Sequence, residues 1–290
     1  MRKYFLLFFI VSSVFHTRGQ DKAAYQLFTG EGKKIKYSKM VEDLAEADIV
    51  LFGELHDNPI CHWLQHEIMK DFHAEHGNDL ILGAEMFETD DQLILDEFLS
   101  GIVVKERFLE EAKTWKNFET DYAPLVNFAK RNNIPFIATN IPRRYANLVY
   151  REGFTALDTL TERAREYIAP LPVPFDPLLP NYRAMIGMDG MPGRIHGNDN
   201  LLKAQAIKDA TMAHFILENR EPGTIFLHFN GDYHSKDHEG IVWYVNRYEK
   251  GLNIKVISSV LQENPGKLED INKGRGDYIL VIPKSMTRTY

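Results

Sequence analysis

The chain has 290 residues, 44% of them hydrophobic and 26% charged, with a formal net charge of −7. Those values suit a globular fold with a full core and exclude a disordered chain. The acidic balance, without any basic stripe carrying interleaved aromatics, excludes nucleic acid as a partner. In chain order, the first segment is MRKYFLLFFIVSSVFHTRGQ: two cations, an apolar run, then small and polar residues. That order predicts a secretory signal peptide over residues 1–20, cut near Gly19 or Gln20, with an uncleaved anchor as the alternative. Its loss removes Arg2, Lys3 and Arg18, so the exported chain is more acidic still. The only cysteine, Cys61, lies far from the leader, so neither a lipid-modified Cys nor an internal disulfide can form.

Residues 21–290 read as one domain. After a hairpin-like start and a helix ending near Ala47 come short apolar runs at 48–52, 79–87, 134–140, 224–231, 254–260 and 277–282. Each has strand length and is apolar on consecutive residues, as in strands covered on both faces. Between them lie stretches with apolar residues three and four apart, which predict helices. The alternation predicts a three-layer α/β fold, a mainly parallel sheet flanked by helices. One stretch departs from it: residues 169–199, crowded with Pro, Gly and Met, are expected to form a long loop, either a lid or an insertion.

Polar residues collect where the apolar runs stop. DIVLF runs into Gly53, Glu54, Leu55, His56, Asp57 and Asn58; ILGAEMF carries Glu85; FIATN ends on Asn140, followed by Arg143 and Arg144; FLHFN runs into Gly231, Asp232, Tyr233 and His234. In a parallel sheet these ends share one edge, and ligands bind outside the carboxyl ends of strands. Gly53-Glu54-Leu55-His56 and Gly231-Asp232-Tyr233-His234 have the same form, and in extended geometry each carboxylate would stand beside its His. A His so placed can ligate a metal, act as a general base or be oriented by its neighbour. The other histidines carry less. His228, inside an apolar strand, is expected at the sheet edge or against a core partner. His62 and His66 are four apart but lack the Glu of a zincin motif, and with His73 and His76 they are expected to be solvated. Met185, Met188 and Met191 are expected to fill gaps.

The two Gly-x-x-His motifs, GAEMF between them and ATNIPRRYA resemble the ChaN-like family, which shares a superfamily with Tiki proteases and TraB proteins. QAIKDATMA at 205–213, with Gln205, Asp209 and Met212, is similar to a ChaN-like helix, and the resemblance runs over roughly residues 40 to 285. It implies an α/β fold, residence in the periplasm or cell envelope, and haem or iron binding in iron acquisition. It also implies haem or another small molecule as ligand and an outer-membrane uptake machinery as partner, and it leaves room for a homodimer. The Tiki relatives imply a metal-dependent peptidase, carried over onto His56, His234 and Glu85. ChaN-like proteins are often lipoproteins; this leader departs from that pattern.

Two functions therefore stand open. In the first, haem takes an axial ligand from Tyr182 or His196 of the 169–199 loop, with Arg183 and Arg194 for its propionates. In the second, His56, His234, Glu85 and Asp232 hold a divalent ion such as Mn, Co or Zn. Glu54 or Glu85 would then accept the proton of a bound water, and Asn140, Arg143 and Arg144 would stabilise an oxyanion.

Overall fold

The computed structural model describes residues 22–188 and 199–290. In chain order the elements are β1 (Gln26–Thr29), α1 (Tyr37–Leu44), β2 (Ile49–Glu54), α2 (Pro59–His76), β3 (Leu80–Glu88), α3 (Gln92–Leu99), α4 (Lys105–Glu111) and α5 (Ala123–Asn132). They continue with β4 (Phe136–Asn140), α6 (Arg143–Glu152), α7 (Glu162–Arg165), α8 (Pro180–Met188), α9 (Asn200–Asn219), β5 (Ile225–Gly231), α10 (Ile241–Tyr248), β6 (Ile254–Gln262) and β7 (Tyr278–Pro283).

All six apolar runs are strands. They join β1 in a seven-stranded sheet of order β1-β7-β6-β2-β5-β3-β4. Every pairing is parallel except that of β1 with β7. Alternation along the strands feeds two large cores, and a small third one where Phe28 of β1, Val260 of β6 and Ile279 of β7 meet Leu268. Val50 and Phe52 of β2 pack with Phe72 of α2 and Val126 of α5, whereas Ile49 and Leu51 pack with Ile207 and Ala210 of α9 and Tyr244 of α10. Helices thus cover both faces, which makes the fold a three-layer α/β sandwich, and all the carboxyl ends of β2 to β6 lie on one edge.

Two expectations need correction. The 169–199 stretch is not loop throughout, because residues 180–188 form α8, docked through Tyr182 on the α9 side of the sheet. His62 is not solvated: it is 7% exposed, and its Nε2 donates to the His56 carbonyl at 3.1 Å. Its position on the buried face of α2 decides this. The leader, Met191, Arg194 and His196 lie outside the described residues.

Candidate functional site

The greasy run of β2 ends where it does for three local reasons. Glu54 is the last strand residue and turns inward. Asn58 caps α2, its side chain accepting from the Ile60 and Cys61 amides at 3.0 and 3.4 Å, and Pro59 opens the helix. His56, between strand and cap, is left to face the sheet edge. Gly53 and Glu54 stand opposite Asn230 and Gly231 in the parallel register, so the two motifs are direct neighbours across β2 and β5.

His56 is held firmly. Its Nδ1 lies 2.7 Å from Glu54 Oε1, and since a carboxylate only accepts, Nδ1 carries the proton. Glu54 is buried and also accepts from the Tyr122 hydroxyl at 2.7 Å and from the Gln65 amide. The His56 carbonyl accepts from Asn117 Nδ2 at 3.1 Å. Burial opposes a charge on His56, but the Glu54 hydrogen bond and the charges of Glu85 and Glu54 outweigh it and raise its pKa.

His234 is held differently. Residues 232–234 form a single 3₁₀ turn, so Asp232 and His234 do not share a side as extended geometry predicted. The His234 ring sits between two carboxylates, Asp209 on Nδ1 and Glu85 at 3.2 Å from Nε2. Gln205, one helical turn before Asp209 on α9, lies 3.0 Å from Nδ1. Burial works against the charge, yet Glu85 and Asp209 prevail and lift the His234 pKa to about 10. Glu85 gains in return. Burial would raise its carboxyl, but His234, His56 and the Gly231 N–H, which donates to Oε2 at 2.7 Å, hold it well below the usual carboxylate range.

His56, Glu85 and His234 therefore meet above Gly231, where a Cβ would stand 2.7 Å from His56 Nε2 and 3.4 Å from Glu85 Oε2. The other proposed residues fall around this centre or away from it. Asp232 accepts from Ser258 Oγ at 2.5 Å, from the Ser259 N–H at 3.2 Å and from Arg275, which ties it to β6 rather than to the histidines. Asn140 Nδ2 donates to the Glu85 carbonyl at 3.0 Å, while its Oδ1 is buried without a hydrogen-bond partner among the described residues. Arg144 pairs with Asp90 and stacks on Tyr145; Arg143 is exposed at the start of α6. Tyr182 is 2% exposed, with its hydroxyl donated to Asp209 at 2.7 Å, so it braces the carboxylate behind His234. His228 is buried between Thr139 and Asn230, as a strand-centre histidine with core partners.

Sequence reasoning did not assign Asp209, Gln205, Tyr122 or Gln65 to the site. The signal was there for the first two: a carboxylate and an amide four residues apart, on the same side of the helix as Leu202, Met212 and Ile216. Tyr122 and Gln65 had no such signal, since only the fold brings them to Glu54.

Two clefts open at this edge. One, of about 750 Å³, is lined by His56, Glu85, His234, Leu55, Met185 and Leu261 among others. The second, of about 780 Å³, adjoins it through Glu85, Lys208 and Tyr290. Of the four ligands expected for a divalent ion, His56, Glu85 and His234 converge here, while Asp232 is held away by Ser258, Ser259 and Arg275. Both His234 nitrogens face carboxylates, Asp209 at Nδ1 and Glu85 at Nε2. Among the described residues no group of three or more His, Cys, Asp or Glu is arranged to hold a metal ion.

Residues 40–245 match the model of a family described as haem-binding uptake, Tiki superfamily, ChaN. The chain belongs to this family. Among solved structures it is similar to the ChaN of Campylobacter jejuni, described for cofacial haem binding, at 19% identity and a TM-score of 0.66, covering 89% of this chain and 96% of that one. A Bacillus cereus protein is also similar, at 12% identity and a TM-score of 0.49, covering 84% and 90%. No curated protein sequence matches the chain. The ChaN family membership and the shared fold agree with the resemblance read from the two Gly-x-x-His motifs.

Proposed function

We propose that this ChaN-family chain is an exported haem-binding protein of iron acquisition, with haem received in the cleft above Gly231. Family membership over residues 40–245 supports the reading, as does the cofacial haem binding described for the Campylobacter jejuni relative. The observation that carries it is how His56 is presented. Nδ1 is committed to Glu54, which leaves Nε2 toward the cleft. A carboxylate fixing the far nitrogen is how proteins orient an imidazole that ligates iron. The cleft has the size of a cofactor site, with Leu55, Met185 and Leu261 as apolar wall. Haem bound there would supply the iron to be held or passed on.

Tyr182 would reach a ligand only if α8 left its seat on Asp209, so His56 replaces it as the iron ligand in this reading. Export rests on residues 1–20; among the described residues no helix is long and apolar enough to cross a membrane. An outer-membrane uptake machinery as recipient and a homodimer belong to the same proposal.

The test is a haem titration of the purified chain followed in the Soret region. His56→Ala should lose the shifted band, and Tyr182→Phe should keep it. A wild-type chain that binds no haem overturns the reading. A His56→Ala protein that binds as wild type does moves the ligand elsewhere.

The same dyad favours a second reading, a hydrolase. With Glu54 behind it, His56 is built to take a proton from water, as a base oriented by a carboxylate. Hydrolysis by this dyad alone would persist in a chelator. Activity that EDTA removes would instead put a divalent ion on His56, Glu85 and His234, as in the Tiki-like alternative.

A further inference from the structure

The second cleft carries more cations than its own residues use. Of those lining it, Lys113 is bound by Glu88, Asp90 and Asp91, and Arg144 by Asp90. Lys116, Arg143 and Lys208 have no hydrogen-bond or ion-pair partner among the described residues. Lys208 matters most. It is half-buried and lines both clefts, and it projects from the same turn of α9 that places Gln205 and Asp209 on His234. Its stem is partly covered while no carboxylate pairs with its ammonium among the described residues, so the charge is left for the cleft. Arg143 opens α6, and Ile141, Arg143, Arg144 and Ala146 around the start of that helix line the same space. Trp115 lines the second cleft, its ring 4.8 Å from that of His56, which lines the first.

We propose that Lys116, Arg143 and Lys208 form an anion-receiving subsite, which takes a carboxylate or phosphate of the molecule whose body occupies the His56 cleft. The inference rests on the haem reading, since haem joins a flat apolar body to two carboxylates. Its chemistry does not depend on iron. Arg143 and Lys208 supply charge-assisted hydrogen bonds, and the adjoining cleft gives the anion a fixed distance from His56. Ester-capped ligands lose this contact while keeping the apolar one.

The experiment titrates the full chain with haem and with haem dimethyl ester at one ionic strength, in the wild type and in R143Q/K208Q. Neither side chain has a partner to lose, and far-UV circular dichroism checks the fold. The free acid should bind the wild type at least about tenfold more tightly than the ester, the scale of one charge-assisted bond. The double variant should lose that difference with its affinity for the ester unchanged. Equal binding of acid and ester by the wild type, or equal weakening of both in the variant, overturns the subsite. If the wild type binds neither porphyrin, the haem reading has failed, and the subsite is decided with benzoate and inorganic phosphate alone. Those probes are followed by Trp115 fluorescence, with W115F as blank. A saturable change that R143Q/K208Q abolishes supports the subsite, and benzoate against phosphate tells which anion it takes. No saturable change with either anion overturns it.

Discussion

At Gly231 a side chain would collide with the centre itself, since its Cβ would stand 2.7 Å from His56 Nε2. Gly231→Ala should therefore fold, because His56 is 35% exposed in its side chain and can swing outward, but it should lose the Soret shift on haem addition. A variant that melts near the wild type and still binds haem would show that the His56 position is not required. Asp209 makes a harsher prediction. It is wholly buried and shared by His234 and Tyr182, so Asp209→Asn leaves a buried imidazolium half-compensated. Urea unfolding should show a loss of about 3 to 5 kcal/mol, the cost of breaking a buried pair from one side. At this scale Glu54, His56, Glu85 and His234 were legible, because a strand that stops on such residues is unusual chemistry in any fold. Asp232 was misplaced for a geometric reason. The extended spacing that joins Glu54 to His56 at 2.7 Å fails one strand over, where a 3₁₀ turn sends Asp232 to Ser258 and Arg275.

Strand β5 carries its own pH dependence. His228 is buried at its centre, accepting from the Thr139 hydroxyl at 2.7 Å and donating to Asn230 Oδ1 at 3.1 Å. Burial depresses its pKa from 6.5 to about 4. Between those values the unfolded chain binds the proton and the folded chain does not, so stability falls as pH drops from about 6.5 toward 4. His228→Gln should remove that part of the slope, worth up to roughly 3 kcal/mol; a variant whose acid denaturation curve keeps the wild-type slope would place the titration elsewhere. Helix α8 is the element hidden from sequence reading. Its Pro, Gly and Met content argued for loop, and its stability comes from Tyr182 packing and bonding across to α9, which composition does not reveal. The six parallel-run strands were legible for the opposite reason: burial on both faces leaves an unbroken apolar signature.

For the molecule as a whole, the leader makes a simple prediction. N-terminal sequencing of the exported protein should begin near Gln20 or Asp21, and recovery of Met1 on envelope protein would favour an anchor instead. The sheet order has a further consequence for such a journey. Apart from a local bridge of Phe28 with Lys34, strand β1, the first described strand of the chain, takes its partner strand in β7, more than 240 residues later, and β2 lies between β5 and β6. A chain emerging amino end first has its opening strands ready long before their partners exist. For a chain exported as proposed, this order would discourage premature collapse, because closing such distant loops is slow. In an exported chain, the topology that gathers Glu54, Glu85 and His234 at one edge would thus also act as a timer, keeping the polypeptide threadable until β7 has been made.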